Sequence, residues 1–95
     1  MLILPIKKKW FDMIKSGEKK EEYREIKPYY NIRFKKAFGF DKKRICEVVF
    51  RNGYSNKSPK IRCYCTLRVG QGKQEWGAEP SKEYYILDIL EVCKN

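Results

Sequence analysis

The chain contains no histidine, and no run of apolar residues approaches the roughly 18 that a membrane-crossing helix needs. Histidine is the commonest acid–base residue, so proton transfer would have to rest on other side chains. The opening Met-Leu-Ile-Leu-Pro-Ile is too short for the apolar part of a signal peptide, which leads us to expect a cytoplasmic protein with no membrane partner. There is also no Cys-x-x-Cys pair. With neither that pair nor a histidine, Cys46, Cys63, Cys65 and Cys93 read as reduced thiols in strands, and neither a metal site nor a cofactor is expected. Glycine and proline are scarce, six and four residues, while 42% of the chain is hydrophobic and 15% aromatic, which excludes a disordered tail.

Ninety-five residues suffice for one modest core, so residues 1–95 are expected to form a single domain. The 22 basic and 12 acidic side chains give a net charge of +10. Residues 1–44 hold 14 of the basic and 6 of the acidic ones. Such a field attracts polyanions: RNA, DNA, nucleotides or anionic lipid headgroups.

Patterning gives a short strand at Leu2–Ile6, then a helix over Lys7–Ser16 with Trp10, Phe11, Met13 and Ile14 on one side and Gly17 as a left-handed cap. Lys20–Ile26 reads as extended, with Glu22, Arg24 and Ile26 on one face and Glu21, Tyr23 and Glu25 on the other. A second helix is expected from Pro28 to about Phe38, showing Tyr29, Ile32, Arg33, Lys36 and Phe38 on a mixed apolar and basic surface. A turn over Gly39–Lys43 and a strand over Ile45–Arg51 follow, with Cys46, Val48 and Phe50 facing one way. Beyond the Asn52-Gly53 turn and a polar loop, Lys60–Val69 alternates cleanly, with Ile61, Cys63, Cys65, Leu67 and Val69 on its core face. Gly70–Pro80 reads as a loop, and Tyr84–Val92 as a strand apolar on both sides at Ile86 and Leu87, hence central or barrel-closing. The fold class is α+β and mainly β: a small curved sheet or barrel with one or two helices at its rim.

Two stretches could carry chemistry. Lys7, Lys8 and Lys9 crowd the positive end of the first helix, where no Ser, Thr, Asp or Asn stands to cap it. Either an anion binds there, or three lysines are simply solvated. In Gly17-Glu18-Lys19-Lys20-Glu21-Glu22-Tyr23-Arg24, Lys19, Glu22 and Arg24 can line a neutralised pocket, or else form surface ion pairs worth roughly 0–1 kcal/mol each.

Leu4-Pro5-Ile6-Lys7, Trp10-Phe11-Asp12-Met13-Ile14, Ser16-Gly17-Glu18-Lys19 and Glu22-Tyr23-Arg24 together resemble an ASCH domain. That family's pattern of Gly-x-Lys-x-x-x-x-Arg, with Glu two before the Arg, is met by Gly17, Lys19, Glu22 and Arg24. Arg51-Asn52-Gly53-Tyr54 and the Gly70-Gln71-Gly72-Lys73 to Trp76-Gly77 stretch resemble small bacterial and phage members. The resemblance implies a PUA-like β-barrel that binds RNA or a nucleotide-like anion in a charged cleft between first helix and barrel. It also admits a hydrolase, acting on RNA or on acetylated cytidine through Lys19 and Glu22. In the amidohydrolase branch a threonine stands where this chain has Glu22, and a carboxylate cannot replace a hydroxyl nucleophile activated by an amine.

Aromatics interleaved with bases add stacking surfaces and phosphate contacts: Tyr29, Tyr30, Arg33, Arg51, Tyr54, Tyr64 and Arg68, with Asn52 able to meet a base edge unless Asn52-Gly53 is only a turn. The expected ligand-binding set is therefore Lys7, Lys8, Lys9, Trp10, Lys19, Glu22, Arg24, Arg51, Asn52 and Tyr54. A third reading is a module whose basic face meets an acidic protein.

Overall fold

Strict alternation of apolar side chains makes the first strand: Leu2, Leu4 and Ile6 are buried, while Ile3 is exposed and Pro5 half-buried. The structure is a computed structural model that describes residues 2–39 and 41–93. Its elements run β1 (Leu2–Ile6), α1 (Lys8–Ser16), β2 (Glu21–Arg24), α2 (Pro28–Phe38), β3 (Cys46–Asn52), β4 (Lys60–Gln71), a single 3-10 turn at Gln74–Trp76, and β5 (Glu83–Val92). The strands form one curled half-barrel sheet in the order β1-β3-β4-β5-β2, so the fold is α+β and mainly β. β1 runs parallel to β3, and every other pairing is antiparallel. As expected of a strand apolar on both sides, β5 lies inside the sheet, between β4 and β2.

One face of the sheet carries the main core, from Leu4 through Val48, Phe50, Cys63 and Cys65 to Leu87. Both helices cover it, α1 through Phe11 and Ile14 and α2 through Phe34 and Phe38. The opposite face of β5 has a smaller cluster, in which Ile86 and Tyr84 meet Ala78 and Tyr23. All four cysteines are free thiols, Cys63 and Cys65 buried and Cys46 and Cys93 half-buried.

Several expectations are corrected. Lys7 is extended and caps α1 rather than opening it. β2 stops at Arg24, before Lys27 caps a helix that its proline starts, so Ile26 is in no strand and is exposed. Phe38 belongs to the core rather than to the surface of α2, because residues 30, 34 and 38 return to one side of a helix. β4 extends two residues beyond Val69, paired to β5 as far as Gln71. Val69 is exposed rather than in the core and borders a groove with Leu67 and Phe38, past the cover that α2 gives the sheet. Asp41, Lys42 and Lys43 lie in the expected turn, while Phe40 lies outside the described residues.

Candidate anion-binding cleft

Gly17, at φ 87°, ends α1 in the left-handed conformation that favours glycine, and the chain doubles back so that the Lys19 amide donates to Met13 O at 2.9 Å. This return brings Lys19 under α1 and starts β2, whose pairing turns Glu22 to the same face as its partner Leu87, the core face. Lys19 is only 2% exposed and Glu22 5%. The Lys19 ammonium donates to Glu22 Oε1 at 2.7 Å and to the Trp76 carbonyl at 2.9 Å, and lies 4.5 Å from the centre of the Trp10 ring. Arg24 takes the other carboxylate oxygen through Nε (3.1 Å) and Nη2 (2.7 Å). Its remaining contacts are Nη2 to the Pro5 carbonyl (2.9 Å) and Nη1 to Tyr30 Oη (3.1 Å).

These contacts make a buried triad in which one carboxylate lies between two cations, so that, unlike in a surface ion pair, loss of one partner leaves a buried charge uncompensated. Burial acts against both positive charges. At Lys19 it outweighs Glu22 and lowers the pKa, whereas at Arg24 the Glu22 charge and the Tyr30 hydroxyl overcome it and the pKa is raised. Among the described residues no buried side-chain nitrogen or oxygen lacks a hydrogen-bond partner.

Beside the triad opens a cleft of about 540 Å³. Its walls are the end of β1 (Pro5, Ile6), the start of α1 (Lys7, Trp10), β2 (Glu22 to Arg24) with Glu25, the start of α2 (Lys27, Tyr30), the end of β3 and the loop after it (Asn52 to Tyr54) and Tyr84. No family model, curated protein or solved structure matches the chain.

Six of the ten residues expected to bind ligand thus meet in one place, Lys7, Trp10, Glu22, Arg24, Asn52 and Tyr54, and Tyr30, expected as a stacking ring, joins them. The others do not line it. Lys8 is exposed and pairs with Asp12 one turn along α1, at 2.6 Å. Lys9 lies over the Trp10 ring, 4.6 Å from its centre. Lys19 sits behind the wall. Arg51 holds the loop after β3, donating to Gly53 O at 3.3 Å. Asn52 closes β3 opposite Ile6, and the chain turns only at Gly53, with φ 121° and its amide donating to Arg51 O at 2.9 Å, which sets Asn52 and Tyr54 at the rim.

Lys27, Tyr84 and Glu25 complete the cleft and were not singled out for it. A signal for Lys27 exists in the sequence: it stands directly before a helix-starting proline, as Lys7 stands directly before α1. Both helices carry a lysine at the cap, no side-chain cap and no acid in the first turn.

Hydrogen-bond direction adds a constraint. A guanidinium only donates, so Tyr30 Oη accepts from Arg24 and its own proton is left to donate elsewhere. Among the described residues Lys7 has no ion-pair partner, and Lys27 reaches Glu25 only at 3.9 Å. The carboxylate of Glu22 is already matched by two cations, so the groups left to meet a ligand are mainly donors.

Proposed function

We propose that this chain is an RNA- or nucleotide-binding module of the ASCH type, a PUA-like barrel that holds a phosphate-bearing ligand in the cleft between α1, α2 and β2. One observation carries the reading: the two helices open onto a single cleft, each with a lysine cap and neither with an acid in its first turn. The first N–H groups of α1 and that of Tyr29 in α2, where Pro28 has none and Tyr30 donates to Lys27 O, join the positive end of each helix dipole in attracting an anion, and Lys7 and Lys27 add full charges. The ring of Tyr54, 85% exposed, offers a face on which an unpaired base stacks, with the half-buried Tyr30 across the same cleft.

Hydrolysis by Lys19 and Glu22 has less support. The Lys19 ammonium is enclosed by Glu22, the Trp76 carbonyl and the Trp10 ring, and Glu22 is clamped by two cations, which suits a fixed counter-charge better than a base that must pick up a proton. The triad instead holds the cleft walls, Lys19 against Trp10 and Arg24 against Tyr30.

The test is a fluorescence-anisotropy titration of labelled single-stranded RNA at about 50 and 200 mM salt. Binding that weakens with salt, and weakens about tenfold or more in Lys7→Gln and Tyr30→Phe, is the expected result. No affinity at low salt, or unchanged affinity in both variants, overturns the assignment.

A further inference from the structure

We propose that α2 and the turn after it form a second contact surface, a track for the phosphates of a single-stranded RNA that leaves the cleft past Lys27. The inference rests on the cleft reading and extends it, because it makes the ligand a strand of several nucleotides rather than a mononucleotide.

The observation is a segregation of charge. Residues 27–44 contain seven basic side chains and a single acid, Asp41. Three arginines of the sheet are matched by acids, Arg24 by Glu22, Arg62 by Glu47, and Arg68 by Glu21 and Asp88, while Arg51 and Lys60 donate to the Gly53 and Asn56 carbonyls of the loop between β3 and β4. Among the described residues Arg33, Lys36, Lys42, Lys43 and Arg44 form no ion pair, and all five are exposed. Asp41 is engaged by the backbone of its own turn, accepting from the Lys43 amide through Oδ1 (2.9 Å) and from the Arg44 amide through its carbonyl (3.2 Å). Those two bonds turn the loop back on the helix: the Arg44 guanidinium lies beside Gly39, which ends α2.

The helix orders the rest. Phe34 and Phe38 hold one side of α2 in the core, so Tyr29, Ile32, Arg33 and Lys36, spaced by three and four residues, share the outer side. Arg33 is preset there, its guanidinium 3.5 Å from the centre of the Tyr29 ring and donating to the Tyr29 carbonyl at 3.0 Å. Tyr29 and Ile32 are 52% and 67% exposed. Cations for phosphates beside an exposed ring and an apolar side chain for bases is the lining of a groove for unpaired nucleic acid. Lys27 begins this helix and also lines the cleft, so the two surfaces join at one residue.

The experiment uses the whole chain, an RNA of about twelve unpaired nucleotides and a mononucleotide, UMP, titrated over about 50 to 200 mM salt. The substitutions Lys36→Gln, Lys42→Gln and Lys43→Gln are combined in one variant; all three side chains are exposed, so the core is untouched. The RNA is expected to bind about tenfold more weakly, with the slope of log K against log salt shallower by about 2, from roughly 0.7 per phosphate contact. UMP affinity is expected to stay at the parent value. Parental RNA affinity and slope in this variant overturn the track, and so does an equal loss for UMP, which would mark a field acting at a distance. A separate Lys7→Gln/Tyr30→Phe variant distinguishes the failures. If it binds both ligands like the parent while the track variant weakens RNA, the cleft reading falls and with it the path out of the cleft, and α2 is left as an RNA contact by itself.

Discussion

Arg24 Nη2 donates to the carbonyl oxygen of Pro5 at 2.9 Å, and so joins β2 to β1, the strands at opposite borders of the sheet. The two borders form no ladder with each other. A side chain bridges the gap, and the Glu22 carboxylate fixes that side chain in turn.

Removing the carboxylate should therefore be costly. Glu22→Ala leaves Lys19 and Arg24 as two buried cations without a counter-charge, and the expected loss is about 3–5 kcal/mol of unfolding free energy. Urea denaturation measures it. A loss under about 1 kcal/mol would mean that the triad is solvated like a surface pair.

Arg24→Lys keeps the charge but not the fork that reaches Glu22, Pro5 and Tyr30 together. It should destabilise the chain and weaken RNA binding even where the fold persists, because Tyr30 loses the donor that sets its hydroxyl. Binding and stability equal to the parent would contradict that role.

Among the three lysines at the start of α1, only Lys7 lines the cleft. Lys7→Gln should weaken RNA binding about tenfold, the worth of one charged hydrogen bond, while Lys8→Gln and Lys9→Gln each change it by less than about threefold. Equal losses at all three positions would point to a diffuse field instead of a seated anion.

The fold was legible wherever a burial period could be read. β1, α2 and β5 follow alternation or helical spacing, and the glycine after Ser16 does end α1 in the left-handed form. The error at Phe38 arose because a helix with rings on several sides does not declare which of them is buried. The cleft was half legible: the lysine cluster and the Glu22 and Arg24 pattern could be seen. That Lys19 would be buried could not, since its partners include the Trp76 carbonyl, 57 residues away, which only the tertiary fold brings near.

Gly72 shows a related constraint. A Cβ there would overlap the Tyr23 ring, whose hydroxyl accepts from the Lys73 amide at 2.9 Å and donates to Glu21 at 2.7 Å. Gly72→Ala should cost about 1–3 kcal/mol by overpacking, with Tyr23→Phe much milder because the ring stays. A neutral Gly72→Ala would show that the loop shifts freely.

Burial raises the thiols of Cys63, to about 12, and of Cys65. Unfolded, such thiols ionise near 9, so above that pH the unfolded chain has lost protons that the folded chain keeps. Their contribution to stability is complete below about pH 9 and declines as pH rises toward 12. Lys19, with its pKa lowered, acts in the opposite direction below 10.5, so the comparison needed is with Cys63→Ala. That variant should start less stable and lose less between pH 9 and 12. Parallel pH profiles would contradict the linkage.

The central claim is that an anion sits where the two helices begin. Titrating nitrogen-15-labelled protein with UMP and following its backbone amides tests this most directly. The account predicts saturable shifts at Lys8, Lys9 and Trp10, at Tyr29 and Tyr30, and at Tyr54, suppressed in Lys7→Gln. Shifts confined to other parts of the chain, or none at millimolar nucleotide, would contradict it.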